Sequence, residues 1–376
     1  MSDTATVSLE RERLPGIPKT PEGLDAEWLA AALAAAGYPG CRIQSVARQR
    51  IGEGVGILAE LYRLTPDYAP GSAPGPASVV AKMHASHPEA RGICAAYRFY
   101  ERETHFYQDV AATIDLQSPR HYASSFDPAS GDCVILLEDM AGAECPDQIV
   151  GIPLDMLTEA IDSVAALHAR WWEDPHLADL AAIMPAIDEP PYSSVPDIYR
   201  ASLPLALERL EALGQHDLAR VAVKFGVAID RLMTELATGP RTLCHGDFRT
   251  DNLMFRLTPE GPKLTAIDWQ IVMQARGPYD VGYLMSGAVD TEMRRANEDR
   301  LLRRYHAALV SRGVTGYDFA TCLQDYRRAL LVGLNYWVQG FAVSDQSIPR
   351  AVALFDSWAG RLDAAVKDLG LEALVE

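Results

Sequence analysis

Four polar side chains recur at short spacing late in the chain. His245, Asp247 and Asn252 lie inside LCHGDFRTDNLMF (residues 243–255), and Asp268 lies inside LTAIDWQ. Asp247 follows His245 by two residues, Asn252 follows Asp247 by five, and Asp268 follows Asn252 by sixteen. Apolar residues flank both stretches, so the three oxygen-bearing side chains converge from two adjacent strand-and-loop segments. Phosphoryl transfer from a nucleotide uses such a set: a carboxylate beside the acceptor hydroxyl, with an amide and a second carboxylate to hold Mg²⁺ against the phosphates. Magnesium keeps waters and phosphate oxygens in its shell, so two protein oxygens suffice. An aspartate taken alone serves equally well as an Asx-turn or helix cap; the joint spacing favours chemistry.

The elements that must position these residues are legible as two kinds of sequence. PEGLDAEWLAAALAAAG reads as a short helix capped by Asp25 and ended by Gly37. RIQSVARQRIGEGVGILAELYRLT and VVAKMHA, divided by the Pro/Gly/Ser turn APGSAPGPAS, read as strands around a glycine loop and a hairpin-like connection. CAAYRFYERETHFYQDVAATI has helical periodicity, and CVILLEDMAGAE reads as a buried strand entering a connector. From about residue 153 the character changes to long amphipathic helical patterns over 154–174 and most of 200–238 and 290–376, with a short β-like insert that holds the four polar residues. These patterns predict two lobes, a small β-rich one and a larger helical one, with a site in the cleft between them.

Composition limits the partners. A chain of 376 residues with 48% hydrophobic and 23% charged residues is long enough to bury a large core in two domains. The balance of 34 Lys+Arg against 51 Asp+Glu gives a formal net charge of −17, which argues against nucleic acid and anionic membrane surfaces as partners. Six scattered cysteines without a C-x-x-C pair fit reduced thiols in a cytoplasmic protein. No uninterrupted apolar run approaches a membrane span, and the first residues carry no secretion signal.

The joint pattern H-G-D-x-x-x-x-N followed by I-D-W-Q resembles the phosphotransferase superfamily that includes aminoglycoside phosphotransferases and choline kinases, and is most similar to its ecdysteroid-kinase-like branch. That resemblance implies an α+β, bilobal protein-kinase-like fold, with a nucleotide-binding lobe over residues 1–140 and a helical lobe with catalytic loop and acceptor site over 141–376. It implies Asp247 as catalytic base, Asn252 and Asp268 as magnesium ligands, and His245 as an orienter of the loop. Upstream, it implies that Gly52, Gly54 and Gly56 of IGEGVG approach the nucleotide phosphates. Lys82 of VVAKMH would contact phosphate, and Glu103 of ETHFY would pair with Lys82, with Glu101 as rival on the same helix. LLEDMAG resembles the connector that carries adenine, which makes backbone groups of Glu138 and Met140 candidates for base recognition. The resemblance extends over roughly residues 45–290.

Gly246 stands where protein kinases usually have arginine, and few residues separate Asp268 from PYDVGYLM, too few for a peptide-docking loop. A small-molecule acceptor is therefore expected, with ATP as donor (GTP being possible) and Mg²⁺ as cofactor. The competing readings are an aminoglycoside-type phosphotransferase and an inactive nucleotide-binding homologue. In YRRALLVGLNYWVQGF of the C-terminal helical region, Tyr326, Leu330, Gly333, Trp337 and Phe341 fall on one helix face. Such a stripe either packs the core or, around the gap at Gly333, lines a pocket for a largely apolar acceptor. Asp280 reads as a loop-anchoring carboxylate and His168 as a satisfied core histidine.

Overall fold

The computed structural model describes residues 16–52 and 58–376. The chain divides into two compact units. The first comprises residues up to 96 together with 119–139, and the second comprises 97–118 and 140–376.

The first unit holds α1 (Ala26–Ala35), β1 (Ile43–Ile51), β2 (Ala59–Tyr68), β3 (Val79–His84), α2 (Pro88–Ala96), β4 (His121–Asp127) and β5 (Asp132–Glu138). Asp25 caps α1 as its sequence predicts, accepting from the Trp28 amide at 2.9 Å, and Gly37 takes the left-handed conformation just past its end. The strands form one antiparallel sheet in the order β1-β2-β3-β5-β4. Trp28, Leu29 and Leu33 of α1 pack with Tyr62, Leu64, Val79, Ala81 and Leu136 of the sheet into one core. Burial of these side chains is the main force holding helix and sheet together. β4, HYASSFD, lacks the apolar run that marks an interior strand and is absent from the sequence reading; it lies at the sheet edge, where half-buried polar residues are tolerated.

The second unit holds α3 (Phe99–His105), α4 (Leu154–Arg170), the single turn α5 (Leu177–Leu180), α6 (Val195–Ala212), α7 (His216–Ala237), β6 (Thr242–Cys244), β7 (Leu253–Thr258), β8 (Gly261–Ala266), β9 (Met273–Ala275), α8 (Pro278–Ala288), α9 (Thr291–Ser311), α10 (Phe319–Val343) and α11 (Pro349–Leu369). The strands pair as two ribbons, β6 with β9 and β7 with β8. Where periodicity predicts one helix over residues 94–114, the structure has two, α2 and α3, broken at Arg98 with φ of 55°. The guanidinium of Arg98 bonds Glu101 from there, and helical periodicity resumes on the far side.

Two glycines let α8 and α10 pack closely. A Cβ on Gly282 of α8 would sit 2.4 Å from the Ala329 Cβ of α10, and one on Gly333 of α10 would sit 2.1 Å from the Ser286 Oγ of α8. The gap at Gly333 is thus filled by α8 and is no pocket. Tyr326, Leu330 and Trp337 are fully buried, the Trp337 indole N–H donates to the Phe355 carbonyl at 2.7 Å, and the stripe is core. The expectation that it lines an acceptor pocket falls with that packing.

Candidate active site

The HGD strip forms the turn between β6 and β7, and its shape follows from a few contacts. Gly246 has φ of +85°, and a Cβ there would lie 2.5 Å from the Ile271 carbonyl oxygen, so only glycine fits. The amides of His245 and Gly246 donate to the two carboxylate oxygens of Asp280 at 2.7 and 3.0 Å. Asp280, fully buried in the first turn of α8, also meets the His168 Nε2 at 3.1 Å, while His168 Nδ1 meets the Tyr305 hydroxyl at 2.8 Å. Asp280 thus anchors the loop and His168 is a satisfied core residue.

Ligand atoms of His168, Cys244 and Asp280 lie within 4.8 Å of one another. Burial pushes the Cys244 thiol well up and keeps it protonated, and both histidine nitrogens are committed, so this trio reads as a dry structural network.

His245 orients the strip. Its Nδ1 accepts from the Asp247 amide at 3.2 Å, so its Nε2 carries the hydrogen and donates to the Ile267 carbonyl at 3.0 Å, one residue before Asp268. The ring also packs on Trp269, 4.4 Å between centroids, and Trp269 stacks on Phe106 at 4.0 Å. One imidazole thereby links the segments bearing Asp247 and Asp268.

Asp247 is buried and crowded with donors. Its Oδ1 accepts from the Tyr283 hydroxyl at 2.8 Å and its Oδ2 from the Asn252 amide at 2.9 Å, with Arg249 Nε at 3.2 Å from Oδ1 and 3.4 Å from Oδ2. Burial pulls the carboxyl pKa up, but the Arg249 charge and the Tyr283 and Asn252 hydrogen bonds outweigh it and hold the group below the usual carboxylate range. Burial and the neighbouring Asp247 charge push the Tyr283 hydroxyl well above its ordinary value, so it remains a donor.

Asn252 spends its Nδ2 hydrogens on the Asp247 carbonyl and carboxylate, both at 2.9 Å, and among the described residues its Oδ1 takes no hydrogen bond. Asp268 sits just beyond β8 with φ of +64°, a left-handed conformation that aspartate tolerates better than most residues and that marks a constrained turn. Its charge acts on the Arg249 guanidinium. An amide oxygen and a half-buried carboxylate are hard oxygen donors of the kind Mg²⁺ takes, so the residues present fit that ion.

The upstream residues lie as follows. Lys82 is buried on β3, opposite Leu61 of β2 and Ile135 of β5. Glu103 is buried on α3 in the second unit, whereas Glu101 accepts from Arg98 at 2.7 Å. Gly52 has φ of +70° at the end of β1; Gly54 and Gly56 lie outside the described residues. The Glu138 amide donates to the Arg120 carbonyl at 2.8 Å and is committed to the sheet. Met140, the first residue of the second unit's long segment, accepts the Ala143 amide at its carbonyl.

Two neighbours, Tyr283 and Tyr336, leave no signal of their own in the sequence, while Arg249 stands near the loop in the sequence without a fixed direction. Tyr283 stacks on Tyr336 with 4.3 Å between centroids, and the Tyr336 hydroxyl donates to the Gly246 carbonyl at 2.9 Å. Tyr283 lies three residues after Asp280 on one helix face, a spacing that would have pointed to it once Asp280 was known to hold the loop.

With this geometry in place the chain can be set beside known proteins. Residues 53–313 match the ecdysteroid kinase-like family. The chain belongs to that family. No curated protein matches the sequence. Among solved structures, the GDP and kanamycin complex of APH(2″)-IIIa superposes with a TM-score of 0.51 at 15% identity, over 91% of this chain and 97% of that one. The Plasmodium vivax ethanolamine kinase gives 0.51 at 12% identity, over 94% and 90%. The GDP complex of wild-type aminoglycoside 2′-phosphotransferase-IIIa gives 0.52 at 15%, over 87% and 96%. The family member described here therefore has the protein-kinase-like fold of small-molecule kinases.

Proposed function

We propose that this protein is a phosphotransferase that moves the γ-phosphate of ATP, with GTP as the alternative donor, to a hydroxyl of a small molecule. The reading rests chiefly on the 2.9 Å contact between Asn252 Nδ2 and Asp247 Oδ2, which commits the amide nitrogen to the carboxylate and leaves the amide oxygen for a metal. Asp247 is the base. It orients the acceptor hydroxyl and takes its proton as the acceptor oxygen bonds to the γ-phosphorus; the bond from that phosphorus to the bridging oxygen breaks, and its electron pair leaves with the nucleoside diphosphate. Tyr283 and Asn252 fix the carboxylate in place, and His245 and Asp280 fix the loop. Asn252 and Asp268 would hold Mg²⁺, which when bound neutralises phosphate charge. Lys82, supported by Glu103, is the proposed phosphate-contacting cation, Gly52, Gly54 and Gly56 the phosphate loop, and the Glu138–Met140 connector the base-recognition segment.

For the acceptor we favour a largely apolar alcohol. The α10 stripe no longer supports this, and the half-buried ring of Tyr336, stacked on the buried Tyr283 that binds Asp247, takes its place as the apolar group near the base. A cationic amino-sugar acceptor is the second reading, favoured by the net charge of −17. A transfer screen of purified protein against apolar alcohols and aminoglycosides decides between them. Within it, Asp247→Asn should lower kcat on the order of 10²-fold or more while MgADP still binds by calorimetry. Wild-type turnover by that variant would remove Asp247 from the mechanism.

A further inference from the structure

Arg102 of α3 is a charge that the chemistry above leaves unused, and its setting is uncommon for an arginine. The side chain is fully buried, yet each of its hydrogen-bond partners is neutral. Nε donates to the Ile183 carbonyl at 2.9 Å, and Nη1 donates to the Tyr192 hydroxyl at 2.6 Å and to the Gln270 carbonyl at 3.2 Å. Nη2 is enclosed with no partner among the described residues. The guanidinium also lies 5.0 Å from the centre of the Tyr192 ring, and burial pushes that phenol up to about 12 against the pull of Arg102, so Tyr192 stays uncharged.

An arginine does not give up its proton in a protein. Taking its charge out of water is costly, and a carboxylate usually offsets that cost. Here two carbonyls and a phenol are left to do so, and burial pulls Arg102 below its ordinary pKa. A neutral side chain of similar length would fill the space without desolvating a charge, so stability does not account for the arginine.

Its grip on the chain after Asp268 does. Gln270 follows Asp268 by two residues, and the Tyr192 hydroxyl donates onward to the Ile271 carbonyl at 2.9 Å. That Ile271 carbonyl is the one that leaves room only for glycine at position 246. One turn beyond Arg102, Phe106 stacks on Trp269. Residues 269, 270 and 271 are thus each held, by Phe106, Arg102 and Tyr192, immediately after Asp268 bends the chain with φ of +64°. A residue other than glycine keeps such a conformation only where its surroundings over-determine it.

On the phosphotransferase reading of the site, we infer that Arg102 is a positioning residue, which sets the Asp268 carboxylate for Mg²⁺ by clamping the turn that follows it. It acts directly on Gln270 and, by way of Tyr192, on Ile271, and it touches neither metal nor substrate. The task calls for a planar fork, because one side chain must reach the connection between α5 and α6 and the Asp268 turn at once.

The test compares wild type with Arg102→Met, which removes the charge, and Arg102→Lys, which keeps the charge and loses the fork. Calorimetry measures ADP binding without metal and with Mg²⁺, and hydrogen–deuterium exchange follows the amides of residues 268–272 in the ligand-free protein. Arg102→Met should bind metal-free ADP as wild type does and lose about 10-fold or more of the gain that Mg²⁺ brings, the usual effect of removing a partner that orients a metal ligand. Its amides over 268–272 should exchange faster, on the order of 10-fold. Arg102→Lys should recover part of both. A full Mg²⁺ gain in Arg102→Met overturns the inference and leaves the phosphotransferase reading standing, as does a lost gain without faster exchange. Loss of metal-free ADP affinity together with melting temperature also overturns it, by making Arg102 a residue of the fold alone. Wild type that binds ADP no better with Mg²⁺ overturns the reading of the metal site first and this inference with it.

Discussion

Tyr283 gives the most direct measure of how the proposed base is held. Its hydroxyl is one of two neutral donors on Asp247, and the phenol is buried against Tyr336 and α10. Tyr283→Phe removes one hydrogen bond to a charged group and leaves the ring packing in place. A bond of that kind is worth about 1.5–3 kcal/mol, so kcat should fall roughly 10-fold or more, with the nucleotide KM unchanged. A KM that rises with an unchanged kcat would assign Tyr283 to substrate binding instead. At this scale the sequence was informative about residues whose types are scarce for a physical reason. His245, Asp247, Asn252 and Asp268 stand out because their spacing suits one chemistry. Tyr283 and Arg249 do not, because tyrosine on a helix and arginine in a turn have many ordinary uses, and only tertiary packing aims them at Asp247.

At the scale of elements, α9 and α11 are tied by a charge cluster. Arg294, fully buried in α9, bonds Glu298 in its own helix and Asp368 of α11, and Arg295 bonds Asp368 at 2.8 Å. The Arg295 hydrogen bond, opposed by burial and joined by Arg294, holds the Asp368 carboxyl below its usual value. A carboxylate whose folded pKa is depressed adds stability that is complete above its unfolded value, about 3.9, and is lost as pH falls through the lower folded value. Asp368→Asn should therefore cost about 1–3 kcal/mol at neutral pH, and the gap from wild type should close as the pH drops below about 4. Thermal melts of both proteins across that range check this, and a gap independent of pH would refute it. The elements themselves were largely legible. α1 was fixed by its cap and glycine stop, and the long helices by their periodicity. The break at Arg98 was invisible, since a left-handed arginine leaves no trace in an apolar pattern, and the choice between core and pocket for the α10 stripe was not decidable. Its glycine gap looks the same in sequence whether a ligand or Ser286 fills it.

For the molecule as a whole, the net charge of −17 sets a field that salt screens, with a Debye length of about 10 Å at 0.1 M. A neutral alcohol does not feel that field, so its KM should stay flat as salt rises, whereas the KM of a cationic amino sugar should climb. Steady-state kinetics at low and high salt thus separate the two acceptor readings independently of relative rates. Among the described residues no helix is long and apolar enough to cross a membrane. The division of the chain was only partly legible, because residues 97–118 belong with the second unit although they stand between strands of the first. The grip of Asp280 on the amides of His245 and Gly246 has a consequence in time as well as in shape. Those two N–H groups end on a carboxylate with no solvent exposure, beside a histidine that is itself sealed, so no local fraying releases them. In hydrogen–deuterium exchange they should be among the last amides to label, opening only with the global unfolding of the second unit. Early exchange at His245 and Gly246 would show that the loop breathes on its own.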